Sequence, residues 1–187
     1  MADESLIKIT EQELLDFGLR PGDEVDAPTL KRLRAASSLS DVKGRAAELI
    51  GRKAMSRRDL ERKLRDKGAS EAEAAAAGEW LENIGALNDA EYAGLLIRHY
   101  GRMGYGPARL REKLYEKGVP RELWEDALAQ APERSGQIDG FLEKKLLGRL
   151  PDEKEKKRLT DALLRRGFSW GEIREAWQRR GSETWEE

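Results

Sequence analysis

Three glycines at a fixed interval constrain this chain more than any other feature. Gly68, Gly118 and Gly167 each follow a basic residue (Lys67, Lys117 and Arg166), and they stand 50 and 49 residues apart. Eight and four residues before each glycine are two leucines: Leu60 and Leu64, Leu110 and Leu114, Leu159 and Leu163. Six and nine residues after it come Ala74 and Ala77, Trp124 and Ala127, Ile173 and Ala176. Further upstream, Ala47 and Ile50 are answered by Ile97 and Tyr100, then by Leu146 and Arg149, where the last departs from the apolar pattern. Apolar residues three and four apart lie on one face of a helix, and a basic residue followed by Gly is a helix stop. A period near 50 residues marks stacked supersecondary units, each too small to bury its apolar face alone.

The reading is an all-α chain of three tandem three-helix repeats. Capping signals place the helices. In the first repeat they span about 41–54, 56–67 and 70–84, opened in turn by Ser56-Arg57-Arg58-Asp59 and Ser70-Glu71-Ala72-Glu73. In the second they span about 89–103, 107–117 and 120–130, with Asn88-Asp89-Ala90-Glu91 and Gly106-Pro107 as starts. In the third they span about 136–148, 152–166 and 169–180, with a box from Ser169 to Glu172. The repeats occupy 41–87, 88–131 and 135–181, followed by an acidic tail at 182–187. Residues 1–40 form a small accessory segment: a short strand at Leu6-Ile7-Lys8-Ile9, a helix from the Thr10–Glu13 box to Phe17, and another from Asp26-Ala27-Pro28 toward Ala36. Ser37-Ser38-Leu39-Ser40 reads as the linker to the first repeat.

Composition removes most chemistry. The 187 residues include no Cys and one His, His99, so disulfides, cysteine zinc sites, cysteine nucleophiles and histidine clusters are all excluded. No metal site, cofactor site or catalytic constellation is expected, and His99 reads as a structural residue. No run approaches ~18 apolar residues, and no secretory signal pattern is present, so a cytoplasmic location without membrane contact is expected; a monomer is expected as well. The net charge of −1 is unevenly spread. Residues 1–42 carry nine acids and five bases, whereas residues 43–67 carry ten bases and four acids. A basic block in a neutral chain points to a polyanion or an acidic surface, or else to solvated, salt-bridged helix faces.

A family resemblance rests on particular residues. Met55-Ser56-Arg57-Arg58-Asp59-Leu60-Glu61-Arg62-Lys63-Leu64, then Lys67-Gly68, then Leu87-Asn88-Asp89-Ala90-Glu91-Tyr92-Ala93, resembles the bacterial recombination regulator RecX. Gly104-Tyr105-Gly106-Pro107, Leu110-Arg111 and Leu114 through Lys117-Gly118-Val119-Pro120 extend the likeness. It is specific over about 43–130 and looser to about 180. Leu19-Arg20-Pro21-Gly22-Asp23-Glu24 resembles an amino-terminal extension of some members. The resemblance implies a curved, elongated array of repeats that binds in the groove of the RecA filament on DNA and dampens ATP hydrolysis and strand exchange.

Candidate contacts come from helical geometry at 100° per residue. With Leu60 and Leu64 inward, Arg58, Arg62 and Arg65 fall at about 160°, 200° and 140° and share one outward stripe. The matching positions of the second repeat are Ala108, Glu112 and Tyr115, so the stripe is not generic to the repeat. Arg98 and Arg102 form an outward i,i+4 pair of like charges, which costs about 0.2–0.5 kcal/mol in an isolated helix and calls for a compensating negative group. The full candidate set is Arg52, Lys53, Arg57, Arg58, Arg62, Lys63 and Arg65 in the basic block, and Arg98, Arg102, Tyr105, Arg109, Arg111 and Lys113 in the second repeat. Trp80, Trp124, Trp170 and Trp177 read as core residues before base-stacking ones. Gly104-Tyr105-Gly106 reads as a turn that exposes Tyr105 rather than as a phosphate loop.

Three function classes follow: a filament-binding regulator, a nucleic-acid-binding module acting alone, and, with least support, an enzyme. Repeats that touch only their neighbours should give a radius of gyration clearly above the ~16 Å of a compact chain of this length. Solution scattering at the compact value would contradict the array.

Overall fold

A few side chains set the start of each helix. Thr10 and Glu13 exchange hydrogen bonds in a capping box that opens α1 (Glu11–Asp16), with the Thr10 N–H donating to Glu13 Oε2 at 2.6 Å. Asp26 accepts from the Thr29 N–H at 2.9 Å to open α2 (Ala27–Arg52). Ser56 accepts from the Asp59 N–H at 3.1 Å at the head of α3 (Arg57–Asp66), and a full Ser70–Glu73 box heads α4 (Glu71–Asn83). Then come α5 (Asp89–Arg102), α6 (Pro107–Glu116), a 3-10 turn (Arg121–Leu123) leading into α7 (Trp124–Leu128), and α8 (Arg134–Leu146). Asp152 caps α9 (Glu153–Arg165), and the Ser169–Glu172 box opens α10 (Trp170–Glu183). The computed structural model describes residues 6–131 and 133–183, and among them every regular element is helical.

The three repeat glycines end their helices alike. Gly68, Gly118 and Gly167 have φ of +92°, +70° and +89°, the left-handed region where a Cβ is costly. In each stop the residue after Gly donates back to the carbonyl of the core leucine: Ala69 to Leu64 at 3.1 Å, Val119 to Leu114 at 3.0 Å, Phe168 to Leu163 at 3.3 Å. This is a Schellman ending, and its apolar residue past the glycine is buried in all three copies. Ala69, Val119 and Phe168 are thus core positions that the repeat pattern alone did not reveal.

The chain divides into two compact units, Met1–Asn88 and Asp89–Glu187. In the first, Val42 and Ala46 of α2, Leu60 and Leu64 of α3, and Ala74, Ala77 and Leu81 of α4 bury one core. The second unit holds two cores. One collects Ala93, Ile97, Leu110, Leu114, Val119 and Ala127; the other collects Ile138, Leu142, Leu146, Leu159, Leu163, Ile173 and Ala176. Arg149, the misfit of the third repeat, lies beyond the end of α8 and pairs with Glu155 at 2.5 Å in solvent.

Within the second unit, main chain meets main chain. The Gly106 N–H donates to the Arg166 carbonyl at 2.7 Å, and the Ala108 N–H to the Gly167 carbonyl at 3.1 Å. A Cβ on Gly106 would lie 2.6 Å from the backbone of Gly167 and Phe168, and one on Gly167 would lie 2.5 Å from the Arg109 nitrogen. Both positions therefore require glycine for closeness, and Gly167 also for its left-handed backbone.

The amino-terminal segment departs from expectation twice. Residues 6–9 form no strand: Leu6 is fully exposed, no strand lies among the described residues to pair with them, and the Lys8 carbonyl accepts from the Ser37 hydroxyl instead. A four-residue alternation without a partner does not make a strand. The serines read as a linker are helical, because α2 runs unbroken through them. Each hydroxyl finds a partner elsewhere: Ser37 on Lys8, Ser38 on Glu73, and Ser40 on Glu13 at 2.7 Å. Ser38 and the Ser70 cap together hold the Glu73 carboxyl down at about 2. The third helix of the second repeat is shorter than expected, since Pro120 supplies no side-chain cap and a 3-10 turn precedes α7. Of the acidic tail, α10 takes in residues 182 and 183, and 184–187 lie outside the described residues.

Gly118→Val should cost about 1 kcal/mol or more, because it forces a β-branched residue into the left-handed region. The expected readout is a Tm lowered by about 2–4 °C per kcal/mol. Gly106→Ala should lower Tm as well, through its collision with Gly167. An unchanged Tm in both would contradict these roles.

Candidate functional site

The sequence candidates separate once their partners are known. On α3, Arg57 is a brace: its Nε donates to Glu61 at 2.8 Å and its Nη1 to Glu82, at the end of α4, at 2.6 Å. These two carboxylates keep its guanidinium firmly charged, raising its pKa. Arg62 and Lys63 both reach Asp59, Lys63 at 3.1 Å. Burial alone would push the Asp59 carboxyl up, but the two cations hold it below its ordinary value. Arg58 and Arg65 remain exposed, with no carboxylate partner among the described residues. Arg52 pairs with Glu48 one turn back, while Lys53, the extended residue that ends α2, is exposed with no ion pair among the described residues.

In the second unit Arg98 and Arg102 both face solvent from α5. The compensating group for Arg98 is a neutral amide, Gln130 Oε1, at 3.1 Å. Arg102 has no carboxylate partner among the described residues. On α6, Arg109 pairs with Glu112, Arg111 with Glu125 at 3.2 Å and Lys113 with Glu116 at 2.6 Å. Lys113 also sits 5.7 Å over the Tyr100 ring. Tyr105 corrects an expectation: it is half-buried, its ring stacked on Tyr100 with centroids 5.5 Å apart and an interplanar angle of 12°. The turn at 104–106 therefore tucks this ring into the second core instead of displaying it.

Arg58, Arg65, Arg102 and Lys53 thus stand out as cations whose charge the fold leaves unspent. Exposed pairs such as Arg62–Asp59 are worth little and can be exchanged for a partner at small cost, so they extend these faces. Spacing revealed the arginine stripe, and Asp59, the partner of Arg62, lies one turn back on the same helix. The partners of Arg57 and Arg98, Glu82 and Gln130, come from elsewhere in the fold and were not readable from spacing.

Three tryptophans, Trp80, Trp124 and Trp177, pack against cores and one does not. Trp80 and Trp124 lie half-buried against their cores, and the Trp124 indole donates to the Val119 carbonyl at 3.0 Å. Trp170, at the first residue of α10, is 61% exposed. Among the described residues there is no group of three or more His, Cys, Asp or Glu able to hold a metal, and no helix long and apolar enough to cross a membrane.

Three-helix repeats with exposed arginines on their outer faces define the class of helical-repeat proteins. Comparison with known proteins narrows this. The second three-helix domain of RecX matches residues 88–128 and the third matches residues 140–177. Regulatory protein RecX of Pseudomonas fluorescens is 34% identical over 134 residues, spanning 71% of this chain and 86% of the relative. That of Pseudomonas entomophila strain L48 is 32% identical over 130 residues, spanning 68% and 84%. A solved regulatory protein RecX superposes with a TM-score of 0.79 at 21% identity over 95% of this chain and 92% of that one. RecX from Lactobacillus salivarius superposes at 0.70 with 23% identity, over 78% and 98%. The chain belongs to the RecX family of regulatory proteins.

Removing a brace and removing a free cation should differ. Arg57→Ala should cost about 0.5–1 kcal/mol by releasing two ion pairs. Arg58→Ala and Arg65→Ala should stay within about ±0.5 kcal/mol. Thermal melts of the three variants check this, and equal losses would contradict the distinction.

Proposed function

We propose that this chain is a monomeric cytoplasmic regulator that binds the RecA filament on DNA and restrains its ATP hydrolysis and strand exchange. Membership of the RecX family supports the partner. The observation that supports the contact is the set of exposed arginines without carboxylate partners among the described residues, Arg58 and Arg65 on α3 and Arg102 on α5. The first and second repeats, bounded at 41–87 and 88–131, present these faces. Acidic filament surface and DNA phosphates both suit them, and neither requires a cofactor or a catalytic group on this chain.

Two variants test the reading: Arg58→Glu with Arg65→Glu, and Arg102→Glu. Both should melt like the parent, since the side chains make no ion pair among the described residues. Both should lose inhibition of the RecA ATPase on single-stranded DNA, and each lost phosphate contact should lower the salt slope of binding by about 1. Normal melting with full inhibition in both variants would place the contact elsewhere. DNA binding of equal strength with and without RecA would favour the independent nucleic-acid module.

A further inference from the structure

A groove of about 620 Å³ runs between α9 and α10 in the third repeat, and none of the candidate cations considered above lines it. It is walled by Trp170 and Trp177 of α10 and bordered by Lys156, Lys157 and Arg174. Its volume falls within the range of small-ligand sites, large enough for a nucleotide-sized group. We propose that this groove stacks the bases of single-stranded nucleic acid.

The two tryptophans carry the proposal. Seven residues apart, they share one face of α10 about 10 Å from each other along its axis. The Trp177 ring is fixed in place, since its indole N–H donates to the Thr160 hydroxyl of α9 at 3.0 Å. The backbone of Trp170 is set by the Ser169–Glu172 box at the first turn of α10, which leaves the indole in solvent at the edge of the groove. An exposed large aromatic beside a second, anchored one is a stacking platform, and any base can use it because every base has a π-face.

The charges fit the same occupant. Lys156 lies 6.0 Å over the Trp177 ring, and Lys156, Lys157 and Arg174 have no carboxylate partner among the described residues. The acids of the groove are Glu153 and Asp161, so its cations outnumber its carboxylates by three to two. Glu153 occupies the first residue of α9, where the helix N-terminus offsets its charge. Bases on the indoles with phosphates on the ammonium and guanidinium groups satisfy both parts of the site. An acidic peptide would satisfy only the cations.

The test uses the full chain without RecA, so it is independent of the filament reading. A labelled oligothymidylate and an abasic strand of equal length are titrated by fluorescence anisotropy against the parent, Trp170→Ala and Trp170→Phe. The parent should prefer the oligothymidylate, Trp170→Ala should weaken it by at least about fivefold, and Trp170→Phe should restore most of the loss. The abasic strand should bind the parent and Trp170→Ala alike, and melting should be unchanged. Arg58→Glu with Arg65→Glu should weaken both strands equally and leave the base preference intact, which separates this site from the α3 face. The proposal is overturned if the parent does not bind the oligothymidylate, if the abasic strand binds as tightly, or if Trp170→Ala binds like the parent. It is also overturned if polyglutamate displaces the oligothymidylate as effectively, charge for charge, as the abasic strand does.

Discussion

The left-handed glycine that closes the second helix of each repeat governs much of what surrounds it. Reversing the chain there lets the next residue's N–H return to a leucine carbonyl one turn back, which satisfies an end that would otherwise face the core unpaired. The same reversal turns Ala69, Val119 or Phe168 inward against that leucine's repeat core. Capping and packing are therefore one event, and the direction in which the third helix departs follows from it.

In the second unit one of these stops has a further use. Because Gly167 lacks a Cβ, the turn before α6 can lie against it closely enough for two main-chain hydrogen bonds. Peptide groups rather than side chains make this join, so its register is fixed by the backbone. Sequence drift in the surrounding side chains leaves such a join largely untouched, which fits the degeneracy of the third repeat's apolar positions.

The all-helical class, the three repeats, their glycine stops and most caps were legible in the sequence, because each depends on residues within one or two turns of each other. What was illegible depended on distant partners. Ser37, Ser38 and Ser40 have the composition of a linker, and only the positions of Lys8, Glu73 and Glu13 show why helix persists through them. The outward stripe of Arg58, Arg62 and Arg65 was readable from angular spacing. That Arg57 is braced by Glu82, and that Tyr105 stacks inward on Tyr100, were not readable, since both partners are set by packing. Trp170 sits at the head of a helix beside core positions, and the sequence alone could not place it on the open side.

The continuity of α2 gives the amino-terminal segment a phase. Ser37 and Ser40 bond the segment on one stretch of the helix, and Val42 and Ala46 enter the first core a turn further on. One residue inserted between these stretches would rotate them by about 100° relative to each other and break one set of contacts. The extension and the first repeat are therefore indexed like two cams on a single shaft, so that lengths between them can change only in steps that restore whole turns.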